Sequence, residues 1–283
     1  MPKSLLSAFE NKPLLDIRSL GRQGPERRDH ITRSELEVMR RTLNRDPEVM
    51  VKVISKGAQD LKAVEKHLKY IGREGEIDMI DDQGQAIRDP EAAQGIIADW
   101  DLDIASNRRS FRLQATDKGK PPKLVHKLMF SMPPGTPPNK VLAAVENFAR
   151  EEFGMQHRYV MAMHTDEPHP HVHVLVKAVS EQGVRLNIRK ATLRMWRSEF
   201  ARHLREQGVR ANATDRLARG RMGRAPSTEI YRVNERGALT MAAMQKTQPA
   251  VDQRQRAKLL QSMSEVQQGW ASIEAILGIQ YQS

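Results

Sequence analysis

The chain has 283 residues, 39% of them hydrophobic and 5% aromatic, and its 46 Lys and Arg outweigh 35 Asp and Glu to give a net charge of +11. A field of that sign collects polyanions, with nucleic acid the first candidate and an anionic membrane surface the second. Cysteine is absent, which excludes disulfides and thiolate metal sites; MPKSLLSAFENK lacks an apolar leader segment and no run reaches membrane-spanning length, so a soluble cytoplasmic protein without membrane insertion is expected.

Residues 1–46 are charged and poor in apolar periodicity, and read as a polar arm with a short helix near Arg33 to Leu43. VMVKVIS, from Val49 to Ser55, is β-branched and predicts a strand. Leu61, Val64, Leu68 and Ile71 then recur at helical spacing, with Gly72 placed to stop that helix. Ile77 to Ile87 reads as a hairpin or irregular excursion, and Asp89-Pro90 opens a helix to about Asp101. Residues 106–123 are basic and loop-like. Leu124 to Met132 is a second strand, closed by Pro133-Pro134-Gly135.

Pro138 to Phe153 is an amphipathic helix with Val141, Leu142, Val145, Phe148 and Ala149 on one side. Arg158 to His164 and His171 to Val179 are strands three and four. Their short connection requires antiparallel pairing. A long helix from Lys190 to Gln207 carries Leu193, Trp196, Phe200 and Leu204 as a core stripe. The expected fold is α+β, a mainly antiparallel sheet with helices on one face. Its domain spans 47–225, followed by a helical C-terminal extension over 226–283.

Four of the nine histidines fall within HTDEPHPHVH, residues 164–173. His171 and His173 are two apart on a strand, so their side chains leave the same face. The turn brings His164, at the end of the preceding strand, alongside them. Three imidazoles then converge, which suits a transition-metal ion with positions left open for a substrate oxygen or water. His169 lies in the turn and either contacts a ligand or is solvated. Asp166 is placed to accept a proton from an imidazole and fix its tautomer, or is an ordinary turn aspartate.

HTDEPHPHVHV resembles the histidine motif of HUH-type relaxases of the MobA/VirD mobilisation group. LKYIGREGEIDM is similar to their nucleophile motif, in which a tyrosine closes the first helix. LMFSMPPGT resembles their central strand and turn, and DRLARGRMGRAP the segment after their last core helix. The resemblance implies the HUH relaxase fold and strand-specific nicking and rejoining of single-stranded DNA at a plasmid origin of transfer. It implies a 5′-phosphotyrosyl intermediate, with Tyr70 as nucleophile and His164, His171 and His173 holding a divalent ion (Mg, Mn or Zn). Asp166 matches an acidic position that orients groups or relays protons. Accessory relaxosome proteins and a coupling protein are the implied partners. Where many members have asparagine, four residues after the last histidine, this chain has Lys177.

The chemistry is coherent in its own right. A phenol is mostly protonated near neutrality, and a nearby cation favours its ionised form. Covalent capture conserves phosphodiester energy, so rejoining needs only a free 3′ hydroxyl. Tyr70 also fits a helix-end aromatic packed on the sheet. Phosphates of a single strand suit Arg73, a basic stretch of Arg108, Arg109, Arg112, Lys118, Lys120 and Lys123, and a second of Arg216, Arg219, Arg221 and Arg224. Both stretches equally fit solvated loops. Rival readings are a rolling-circle initiator or transposase of the same chemistry, a metal-dependent nuclease using water, and a DNA-binding protein without catalysis. The first two commonly carry their tyrosine on a helix after the histidines, and Lys190 to Gln207 has none.

Overall fold

A computed structural model describes residues 33–54, 58, 60–89, 91–102, 123–214 and 267–270. The N-terminal arm before residue 33 lies outside the described residues. So does most of the C-terminal extension, of which residues 267–270 are helical. The chain divides into two compact units, Asp46–Ala213 and a second made of Met1–Arg45 with Thr214–Ser283. In the second, α1 (Arg33–Leu43) buries Met39 and Leu43 one turn apart and pairs Glu37 with Arg40 and Arg41.

The Asp46–Ala213 unit is built on six strands: β1 (Met50–Val53), β2 (Met79–Asp81), β3 (Ala86–Ile87), β4 (Val125–Ser131), β5 (Tyr159–His164) and β6 (His171–Lys177). Their order across the sheet is β1-β4-β6-β5-β2-β3. Every pairing is antiparallel. The two longest strands, β4 and β6, lie side by side at the centre, with Ser131 opposite His171 and Met129 opposite His173. The β5–β6 hairpin sets His164 opposite His171.

Because side chains alternate along a strand, Val172, Val174 and Val176 leave one face and His171, His173 and Leu175 the other. The valine face packs on α4 (Pro138–Glu152) and α5 (Lys190–Glu206). Phe130 there meets Phe148 at 4.9 Å and Phe200 at 5.3 Å between ring centres, and Phe153 meets Trp196 at 5.4 Å. Trp196 is fully buried, as its helical spacing predicts.

The opposite face is covered as well, which corrects the expectation of helices on one side. Here α2 (Leu61–Ile71) and α3 (Ala92–Asp99) pack through Val64, Leu68, Ile71 and Ile96 onto Val125, Val160, Ala162 and Leu175. The reason lies in β5 and β6, which carry apolar residues on both faces and would leave one wet without a second helical layer.

Asp60 caps α2, its carboxylate accepting the Ala63 N–H at 2.7 Å. The helix ends at Gly72, as its placement predicts, with right-handed backbone at φ −83°. A Cβ there would lie 3.1 Å from Met79 Sδ, tighter than an ordinary contact, so a side chain would need Met79 to shift by a few tenths of an ångström. Positive φ falls instead on Arg73 (49°), Glu74 (54°) and Gly75 (94°). Two consecutive non-glycine residues in that region are strained backbone, immediately after Tyr70.

Phe148 touches Phe130, Phe153 and Trp196 in the valine-face core. Phe148→Ala is expected to lower unfolding stability by about 3–5 kcal/mol. Chemical denaturation measures this, and a loss below about 1 kcal/mol would mean that face is not a packed core.

Candidate active site

The site is assembled at one end of the sheet, beneath the C-terminal end of α2. His164 and His173 are buried and His171 is partly exposed. Their ring centres are 4.7 Å (His164–His173), 5.2 Å (His171–His173) and 5.4 Å (His164–His171) apart. One nitrogen from each lies within 4.8 Å of the others.

Outer hydrogen bonds orient two of the rings. His164 Nε2 is 2.8 Å from the Ile71 carbonyl, and His171 Nδ1 is 3.0 Å from the His169 carbonyl. A carbonyl only accepts, so those nitrogens carry the protons and the remaining ones keep free lone pairs. His164 Nδ1 is buried without a partner, as are both nitrogens of His173. Burial, reinforced by His164 and His171, lowers the His173 pKa to about 3; burial likewise lowers that of His164. Neutral imidazoles with unpartnered nitrogens converging on one point fit a divalent ion.

Tyr70 hangs over this cluster from the last turn of α2. Its ring centre is 5.6 Å from His173 and 5.9 Å from His164, and the side chain is about half exposed, 53%. The helix end is tied to the hairpin twice: through the Ile71 carbonyl on His164, and through an ion pair between Arg73 and Asp166. That pair departs from the expected role of Asp166. Its carboxylate is 3.9 Å from His164 Nδ1, outside hydrogen-bond range. The tautomer of His164 is fixed by Ile71 instead. Partial burial raises the Asp166 carboxyl, but the Arg73 hydrogen bond and charge outweigh this and hold it below the usual range.

Not every expected residue gathers here. Lys123 precedes β4 at the end that pairs with Lys177, the opposite end of the sheet from His171. Lys177 itself is engaged by Glu181 at 2.9 Å, away from the triad. The remaining arginines and lysines of the two basic stretches lie outside the described residues. His169 sits in the turn, its carbonyl serving His171.

One residue went unnoticed in the sequence. His67, one turn before Tyr70, stacks on its ring at 6.0 Å with planes 19° apart and meets His173 edge-on at 6.1 Å. Burial, with Lys127 next, lowers its pKa to about 4. The His67–Tyr70 spacing of three was its only signal, since helical neighbours at i and i+3 share a face. Beside both residues runs a cleft of about 1040 Å³ that also reaches Lys62, Lys66 and Lys127.

Residues 82–209 match the family described as Relaxase: MobA/VirD2-like, nuclease domain. That span identifies a MobA/VirD-type relaxase nuclease domain within the chain. The match takes in β4 to α5 with all three histidines of the triad, and begins downstream of Tyr70. No curated protein gives a match. The relaxase family nicks DNA, acts on single strands and is metal-dependent; the histidine triad is compatible with that requirement. No helix among the described residues is long and apolar enough to cross a membrane.

Two outcomes follow from the geometry. His67, His126 and His173 all have folded pKa values well below the ordinary 6.5, burial being the main cause. The unfolded chain therefore binds protons first as pH falls, and stability present above about pH 6.5 is lost progressively toward pH 4. Denaturant midpoints across that range, in chelator, should fall with pH; a flat profile contradicts it. Arg73→Ala should weaken nicking by about tenfold or more by releasing the end of α2 from the histidine hairpin, with little change in stability. Single-turnover rates and thermal melts separate the two effects.

Proposed function

We propose that this relaxase cuts and rejoins one DNA strand at an origin of transfer, with Tyr70 as nucleophile. The carrying observation is the half-exposed phenol ring held 5.6 and 5.9 Å from two of the three clustered imidazoles. Tyr70 Oη forms a bond to the scissile phosphorus and the P–O3′ bond breaks. The phenol proton is taken up, in net terms, by the departing 3′ oxygen. The product is a 5′-phosphotyrosyl ester and a free 3′ hydroxyl, and the reverse attack reseals the strand. No nucleotide cofactor is required, because one phosphoester replaces another.

His164, His171 and His173 would hold the divalent ion. Lewis-acid polarisation of a phosphate oxygen is the chemistry such an ion supplies when bound. The protein's own groups position the phenol. His67 stacks on one face of the ring, and the Ile71–His164 bond sets the height of the helix end above the triad. Asp166, paired with Arg73, holds the following turn and acts as a positioning residue.

The tyrosine order supports this reading over a rolling-circle initiator or transposase. Tyr159 is the other tyrosine among the described residues; it is 3% exposed and packed against Phe153, in the core of the other face. Accessory proteins of a transfer complex and a coupling protein belong to the same proposal, as does a cytoplasmic location. The three-part division into an arm of 1–46, a relaxase domain of 47–225 and a helical extension of 226–283 also belongs to it.

A labelled single strand carrying the cut site is expected to become covalently attached to the protein in the presence of Mg, Mn or Zn. Tyr70→Phe should abolish attachment and spare strand binding, while His164→Ala, His171→Ala and His173→Ala should each lose cleavage with a smaller loss of affinity. Denaturing gel analysis reads all four. Free nicked product from Tyr70→Phe would instead identify a water-using nuclease.

A further inference from the structure

Helix α2 has three faces. Val64, Leu68 and Ile71 point into the core. Ala63, His67 and Tyr70 follow one another at spacings of four and three, which places them on the adjacent edge. Lys62, Lys66 and Lys69 repeat the same spacing one position earlier over about 10 Å of helix, and Arg73 follows in the turn beyond it, so a basic stripe runs beside the Tyr70 edge.

Two members of the stripe are already committed, Lys69 to Glu65 and Arg73 to Asp166. Lys62 and Lys66 are exposed and make no ion pair among the described residues. The cleft of about 1040 Å³ lies along this edge, and its wall includes Lys127, which rises from β4 with Nζ 3.4 Å from the Ala63 carbonyl. His67 also forms part of the wall. It is only 9% exposed, and its Nε2 has no hydrogen-bond partner. The wall also holds Glu65, which pairs with Lys69, and Glu74 and Glu76, but its lysines and arginine outnumber these carboxylates; a concave surface with a net positive charge, ending at a phenol, suits a chain of phosphates better than a single anion.

We propose that the cleft along α2, with Lys62, Lys66 and Lys127 as its cations, seats the phosphates of the single DNA strand next to the one attacked by Tyr70. The assignment rests on the relaxase reading and adds the path by which the strand reaches the nucleophile. Lys62 and Lys66 contact phosphates and carry no sequence information. Lys127 presents its charge to the strand from the cleft wall.

The test measures equilibrium binding of a random-sequence single-stranded oligonucleotide to the full chain as a function of salt, with Tyr70→Phe present throughout to prevent cutting. Each phosphate contact contributes about 0.7 to the slope of log affinity against log salt for single strands. The Lys62→Gln/Lys66→Gln pair should flatten the slope by about 1.4. Lys62→Arg/Lys66→Arg should retain the slope, as charge rather than shape is responsible. If the parent binds with a steep slope and the Gln pair leaves it unchanged, the cleft is not the path, and covalent capture by the native protein then still upholds the relaxase reading. If the native protein neither binds a single strand nor becomes attached to one, both readings fall together.

Discussion

The buried hydrogen bond from His164 Nε2 to the carbonyl of Ile71 is the constraint on which the site depends. It joins the end of one helix to the end of one strand, 93 positions apart in the chain. It satisfies a carbonyl that the helix terminus would otherwise leave orphaned. It also selects the tautomer with the proton on Nε2 and so leaves Nδ1 as an electron-pair donor. A single contact thus sets both the placement of Tyr70 and the tautomer of one imidazole of the histidine triad. Such a bond between buried groups is expensive to leave half made, which locks the helix end in position.

The strain around this contact is local. Arg73 and Glu74 occupy left-handed backbone directly after the helix, and Gly72 is pressed against Met79. The ion pair between Arg73 and Asp166 holds the strained turn against the histidine hairpin. The pair is substantially exposed, so its worth lies in fixing geometry more than in stability. Around it the two helical layers pack on the sheet, and the half-exposed phenol borders the cleft along α2.

The chemistry is asymmetric across the sheet. The valine face of β6 is filled by aromatic rings from α4 and α5 and carries no part of the site. The other face begins apolar beneath α2 and α3 and turns polar where the three histidines emerge. The change is made along one strand, from Leu175 to His173 to His171, by the two-residue period of the backbone. This lets buried apolar packing supply stability a few ångströms from neutral, ligand-competent imidazoles.

Local periodicity was sufficient for most of the architecture. The spacing of Val172, Val174 and Val176 against His171 and His173 defined a strand and its faces, and the short connection after His164 required a hairpin. The helix carrying Tyr70 was legible from Leu61, Val64, Leu68 and Ile71. The second helical layer was not, because a strand apolar on both faces gives no indication of which neighbours will cover it. Nor was the role of Gly72, which depends on Met79 packing against it, or the engagement of Asp166 by Arg73. His67 and the lysine edge of α2 look like an ordinary solvated helix until the fold sets one side of that helix over β4. The sequence by itself determined which residues can bind a metal or attack a phosphate, since that is a property of their side chains. Only the tertiary structure decided which of them meet, because contacts across many tens of residues are set by how helices and strands pack.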